Sequence, residues 1–106
     1  MFYEIRHYKT EPGRRDEWVR YMEDVVIPYE QSKGMSVTAS FVDEEDPDGY
    51  VWIRRFDDEA HRAALYAAAH DDPRWTDEIF PAVTDLLLLD RTVVTRAVPT
   101  PASPLR

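Results

Sequence analysis

Between Phe2 and Val98 the chain switches repeatedly between two-residue and three-to-four-residue apolar periodicity. The switches fall in the order strand, helix, strand, strand, helix, strand, and that order constrains the fold more than any other feature. FYEIRHYK, about residues 2 to 9, reads as the first strand, and Thr10-Glu11-Pro12-Gly13 breaks it. A helix is expected from about 14 to 32, with Trp18, Met22, Val25 and Tyr29 at steps of four, three and four forming a buried stripe. Asp16 and Glu17 suit its first turn and Gly34 its C-terminal cap, whereas Pro28 should kink or end it near Ile27.

Ser36 to Val42 and Tyr50 to Phe56 read as a hairpin around Asp46-Pro47-Asp48-Gly49, with Gly49 expected in the left-handed region. Asp57 or Asp58 should cap the next helix, whose Ala60, Ala64 and Ala67 or Ala68 suggest close packing on a sheet. Asp71-Asp72-Pro73 restarts a helix carrying Trp75, Ile79 and Val83, and Thr92 to Val98 is a last strand. The expected architecture is α+β: a ferredoxin-like βαββαβ domain over residues 1–98, with an antiparallel sheet and helices on one face. A Pro-rich tail without fixed structure is expected over 99–106.

A chain of 106 residues makes one domain with its own core. There is no cysteine, so disulfides and thiolate metal sites are excluded, and a reducing compartment fits. The longest apolar run, Leu86 to Leu89, is far too short to span a bilayer, and the N-terminus lacks a basic-then-apolar leader. Cytoplasmic location without membrane association is the expectation. With 21 acids against 13 Lys and Arg the net charge is −8, and the basic residues form pairs rather than a stripe. Nucleic acid is therefore not an expected partner. His70-Asp71-Asp72 reads as local capping, His61 as a surface contact with Asp57 or Asp58, and no metal or cofactor is expected. The isolated glycines cannot form a phosphate-cradling loop, and no Ser or Cys partner for a histidine stands out.

Alternation sorts the strands onto two faces. Phe2, Glu4, Arg6 and Tyr8 share one face of the first strand, and Tyr3, Ile5 and His7 the other. With Ile5, Val51 and Ile53 taken as helix-facing, Glu4, Arg6 and Tyr8 would share the open face with Tyr50, Trp52, Arg54 and Phe56. Such a face, rich in aromatics, would be closed by a second copy, and the enclosed space would suit a small molecule. Arg6 and Arg54 would hold an anionic or carbonyl oxygen, Tyr8 and Trp52 give flat contact, and Glu4 orient Arg6 or act as a base. In the reversed register Tyr3 and His7 occupy the open face, and His7 is the histidine best suited to general-base work. The competing expectation is a non-catalytic protein in which the polar strand residues only stabilise the dimer.

Tyr3-Glu4-Ile5-Arg6-His7-Tyr8, Pro12-Gly13 before a Trp-bearing helix, Pro28, Ile53-Arg54-Arg55-Phe56-Asp57-Asp58 before Ala60-His61-Arg62, and Asp72-Pro73-Arg74-Trp75 occur in this order. Together they resemble the NIPSNAP family of the dimeric α/β-barrel superfamily. The resemblance implies a ferredoxin-like protomer whose sheet pairs with a partner's in a homodimer. It implies no catalytic set. Related branches include cofactor-free monooxygenases, haem-degrading enzymes and isomerases, so a cofactor-independent oxygenase, isomerase or cyclase is the enzymatic expectation by analogy of fold.

Overall fold

The computed structural model describes residues 1–106. Strand β1 (Phe2–Lys9) leads through Gly13, at φ +77°, into helix α1 (Arg15–Tyr21). A π-helical turn over Met22–Val26 joins α1 to α2 (Ile27–Ser32) without a break. β2 (Ser36–Val42) and β3 (Gly49–Phe56) form the hairpin, and α3 (Glu59–His70) follows. A second π-helical turn, Trp75–Ile79, runs into α4 (Phe80–Leu86), and β4 (Val93–Ala97) completes the sheet. The strand order is β2-β3-β1-β4 with every pair antiparallel, which is the ferredoxin-like arrangement.

Both π turns have a local cause. Pro28 and Pro81 have no N–H, and each ring would collide with a carbonyl four residues earlier. The helix absorbs the collision by widening just upstream: Ile27 N–H reaches Met22 O, and Phe80 N–H reaches Trp75 O. The kink expected at Pro28 is thus a widened turn, and the helix continues to Ser32. The wider turn has a consequence for packing. Trp18, Met22, Val26 and Glu30, spaced by four, stay on one face and are all buried, so Val26 rather than Val25 occupies the stripe.

Two expectations about local structure are corrected. Gly49 is not in the left-handed region; a Cβ there would lie 2.8 Å from Asp43 Cβ, so close approach of the hairpin turn excludes a side chain. On α3, Ala60, Ala64, Ala67 and Ala68 face solvent, while Arg62, Leu65, Tyr66 and Ala69 turn inward. Of the two capping candidates, Asp58 caps α3, accepting from His61 N–H at 2.7 Å.

The largest correction concerns the sheet. Phe2, Glu4, Tyr50, Trp52, Arg54 and Phe56 are all buried, and they face the helices rather than the open side. The register pairs Phe2 with Phe56, Glu4 with Arg54, Arg6 with Trp52 and Tyr8 with Tyr50, so the expected grouping of residues holds while its side is inverted. Ile5, Val51 and Ile53, expected against the helices, lie on the outer face with Tyr3 and His7. The inversion has a physical reason: large aromatics fill the deep space under the helices, and the buried guanidinium finds carboxylates there. The outer face keeps exposed Phe41 and Val93. The tail residues Val98, Pro99, Ser103 and Leu105 border a shallow groove with Tyr3, Ile5 and Ile53 at one end of that face. No helix is long and apolar enough to cross a membrane.

Candidate functional site

Between the inner sheet face and the helices lies a cavity of about 190 Å³. Its floor is Arg6, Tyr8, Trp52 and Arg54 from β1 and β3; the shared face of α1, the first π turn and α2 bearing Trp18, Met22, Val26 and Glu30 forms one wall. Tyr66 and His70 of α3, with Trp75, Phe80 and Leu89, enclose the rest. Mostly apolar walls with a few convergent polar groups are the usual make-up of a small-molecule pocket.

A buried ion network underlies the floor. Glu4 is 1 % exposed and accepts from Arg54 Nη2 at 2.8 Å, Arg62 Nε at 2.7 Å and Tyr66 OH at 3.0 Å. Burial alone would raise the Glu4 carboxyl, but the bonds from Arg62, Arg54 and Tyr66 outweigh it and hold the group below its ordinary value. Arg54 also donates through Nη1 to Glu30 Oε1 and through Nη2 to Tyr66 OH, and its guanidinium lies 4.7 Å from the Trp52 ring centre. Burial opposes its charge, yet Glu30, Tyr66 and Glu4 keep it protonated. Glu30 is pushed upward by burial, against the pull of Arg54. Arg54 pairs with Glu4 and Glu30, and Arg62 with Glu4 and, at 3.6 Å, with Glu59.

Arg6 brings to the cavity a guanidinium that has no hydrogen bond to a carboxylate, Glu4 lying 3.6 Å away. Its Nε donates to Tyr8 OH at 2.7 Å and its Nη1 to Tyr66 OH at 3.4 Å, while Nη2 has no partner in the protein. Tyr8 OH, having accepted from Arg6, keeps its own proton to donate. At the mouth, His70 stacks on Trp75 with ring centres 4.7 Å apart. Burial and the nearby Arg54 charge lower its pKa, so it is neutral at pH 7.

Of the candidates read from sequence, Arg6, Tyr8, Trp52 and Arg54 meet in the cavity, and Glu4 sits behind them as the anchor of Arg54. Tyr50 and Phe56 are core residues behind the wall: Tyr50 pairs with Ser40 at 2.6 Å, and burial pushes its phenol up to about 12. His7 is exposed on the outer face, opposite Val51 and Val93, and is therefore removed from the cavity. Glu30 and Tyr66 escaped the sequence reading, and His70, read there as local capping, borders the cavity instead. Arg62, Tyr66 and His70 are spaced by four on α3, a polar stripe that could have been found; Glu30 reaches the cavity through the widened turn before Pro28. No group of His, Asp or Glu side chains forms a metal-ligating cluster.

The fold and site define a ferredoxin-like α+β protein with a small-molecule-sized cavity between sheet and helices. The NIPSNAP family model matches residues 3–104, and the chain belongs to that family. The crystal structure of protein Atu4242 from Agrobacterium tumefaciens is similar at 30% identity, with 100% of each chain covered and a TM-score of 0.89. An uncharacterised NIPSNAP domain protein from Burkholderia xenovorans is similar at 21% identity, covering 98% of this chain and 99% of that one, with a TM-score of 0.87. An antibiotic biosynthesis monooxygenase shares the fold at 24% identity and a TM-score of 0.63, over 93% of this chain and all of its own. No curated protein matches the sequence.

Proposed function

We propose that the protein is a homodimer, closed through its outer sheet faces, that binds a small, partly aromatic or anionic molecule in the sheet–helix cavity of each protomer. The observation that carries this reading is Arg6: a guanidinium with an unpartnered Nη2 on the floor of an aromatic-walled cavity of about 190 Å³. A fork-shaped donor in apolar surroundings suits a carboxylate or a carbonyl oxygen. Trp52 and Tyr8 offer ring faces beside it. An engineered apolar cavity of about 150 Å³ holds benzene, so one ring with a short polar chain matches the space.

Oxygenation, isomerisation and cyclisation without a cofactor are the reactions such a site could serve. The alternative, a non-catalytic protein whose polar strand residues stabilise the dimer, fits less well, because Glu4, Arg6 and Tyr8 face the helices rather than the outer side of the sheet. Titration with aryl carboxylates, followed by tryptophan fluorescence, tests the reading. Arg6→Gln should weaken binding by about 10- to 100-fold, the worth of a hydrogen bond to a charged group. Equal affinity of the variant would remove Arg6 from the site.

A further inference from the structure

Glu30 is the one acid on the cavity wall, and its position is unusual for a side chain kept only as a counter-ion. It is 5 % exposed, and Arg54 engages Oε1 alone. Oε2 has no partner in the protein and is not among the sealed, unpartnered polar atoms. A carboxylate serving only to neutralise Arg54 would gain by engaging both oxygens. Glu30 instead holds one oxygen fixed and leaves the other to the cavity. Fixing one oxygen also orients the free one, which is what a proton acceptor needs.

Across the floor, Arg6 and Tyr8 form a pair of adjacent donors. Arg6 Nε and Tyr8 OH are 2.7 Å apart, so the free Arg6 Nη2 and the free Tyr8 proton serve neighbouring oxygens of one ligand. Neighbouring acceptors of this kind occur in a 2-oxo acid, whose carboxylate and carbonyl carbons are bonded to each other. The aromatic walls and the volume suit a single ring on the adjoining carbon.

Resting on the reading of this cavity as a small-molecule site, we propose that Glu30 is a catalytic base that interconverts the keto and enol forms of an aryl 2-oxo acid. Glu30 Oε2 takes the proton from the carbon between ring and carbonyl, and the C–H electron pair becomes the new C=C bond. The carbonyl oxygen takes up the negative charge and is held by the Tyr8 hydroxyl, while Arg6 keeps the carboxylate. Return of the proton from Glu30 to carbon restores the keto form, and transfer to the enolate oxygen gives the enol. No electrons leave the substrate, so no oxidant or cofactor is consumed.

Phenylpyruvate is the probe. In D2O the protein should speed deuterium entry at C3, read by proton NMR, above the rate in matched protein-free buffer. Glu30→Gln should lose about 100-fold or more of that acceleration. The same variant should bind phenylpyruvate at least as tightly as the parent, since a negative charge near the anion is gone. Glu30→Asp keeps the carboxylate but withdraws it, and should retain part of the rate. In the unaltered protein the rate should fall as pH is lowered through the raised Glu30 value, a titration set by burial and by Arg54 of β3 and Arg6 and Glu4 of β1, with Tyr8 of β1 and Tyr66 and His70 of α3 lining the same cavity.

Full exchange in a folded Glu30→Gln variant would overturn the proposal. If that variant does not fold, a wild-type rate flat across the acid limb would overturn it instead. Phenylpyruvate bound without accelerated exchange defeats the catalytic role and leaves the binding reading standing. Binding of neutral ethylbenzene but not of phenylpyruvate defeats the anion assignment. Binding of neither defeats the cavity reading itself.

Discussion

At the scale of single residues, the site is organised by charge burial. Glu4 serves Arg54, Arg62 and Tyr66 at once, so its removal leaves the buried Arg54 with Glu30 as its remaining carboxylate and the partly exposed Arg62 with only Glu59, 3.6 Å away. Glu4→Ala should cost about 3–5 kcal/mol in urea denaturation, the loss expected when one partner of a buried pair is deleted. Acid should act through two groups. Glu4 has a folded-state pKa below its unfolded value, so its contribution is complete above about pH 4.5 and is lost as pH falls through the lower folded value. His70 is depressed below 6.5, so the unfolded chain binds its proton first and stability drops as pH falls through that window. His70→Gln should flatten the stability profile just below pH 6.5 while leaving the steeper acid loss of Glu4, as measured by thermal unfolding across pH. An unchanged profile would mean that His70 is not held neutral by its surroundings.

At the scale of elements, two prolines shape the cavity. Pro28 forces the π turn that keeps Trp18, Met22, Val26 and Glu30 on one face, and Pro81 does the same for the turn that carries Trp75 and Ile79. Alanine has a helix propensity about 3 kcal/mol better than proline in a helix interior. Pro28→Ala should nevertheless fail to stabilise the protein, because re-forming the α-helical register turns Glu30 away from Arg54. A gain of more than about 1 kcal/mol in urea denaturation would show that the π turn is not what positions Glu30. The existence and order of the elements were legible from periodicity and from turn residues such as Asp46-Pro47-Asp48-Gly49. The π turns were not, because a proline announces a collision without saying whether the helix ends, kinks or widens.

At the scale of the whole molecule, the open sheet face is the remaining unmatched surface. Phe41 and Val93 are more than half exposed on it, with Ile5, Val51 and Ile53 between them. Joining two such faces would hide these apolar side chains, which supports the proposed homodimer. Replacing both Phe41 and Val93 by glutamate should give a monomer in sedimentation velocity, whereas Arg6→Gln, altered on the other face, should sediment as the parent does. A parent that is itself monomeric would refute the dimer.

The sequence by itself determined the element order, the α+β class, the family resemblance and the grouping of Glu4, Arg6 and Tyr8 with Tyr50, Trp52, Arg54 and Phe56. These follow from backbone periodicity and antiparallel register, which act over a few residues or between neighbouring strands. Tertiary structure alone decided which side of the sheet that group occupies. Neither face of the sheet is polar throughout, so hydrophobicity could not choose between them. The choice fell to packing volume and to the pairing of Arg54 with Glu4 on the neighbouring strand and Glu30 on a helix, 24 residues away. Contacts at that separation are made only when the chain closes, and they turned an expected dimer-enclosed space into a cavity within the single chain.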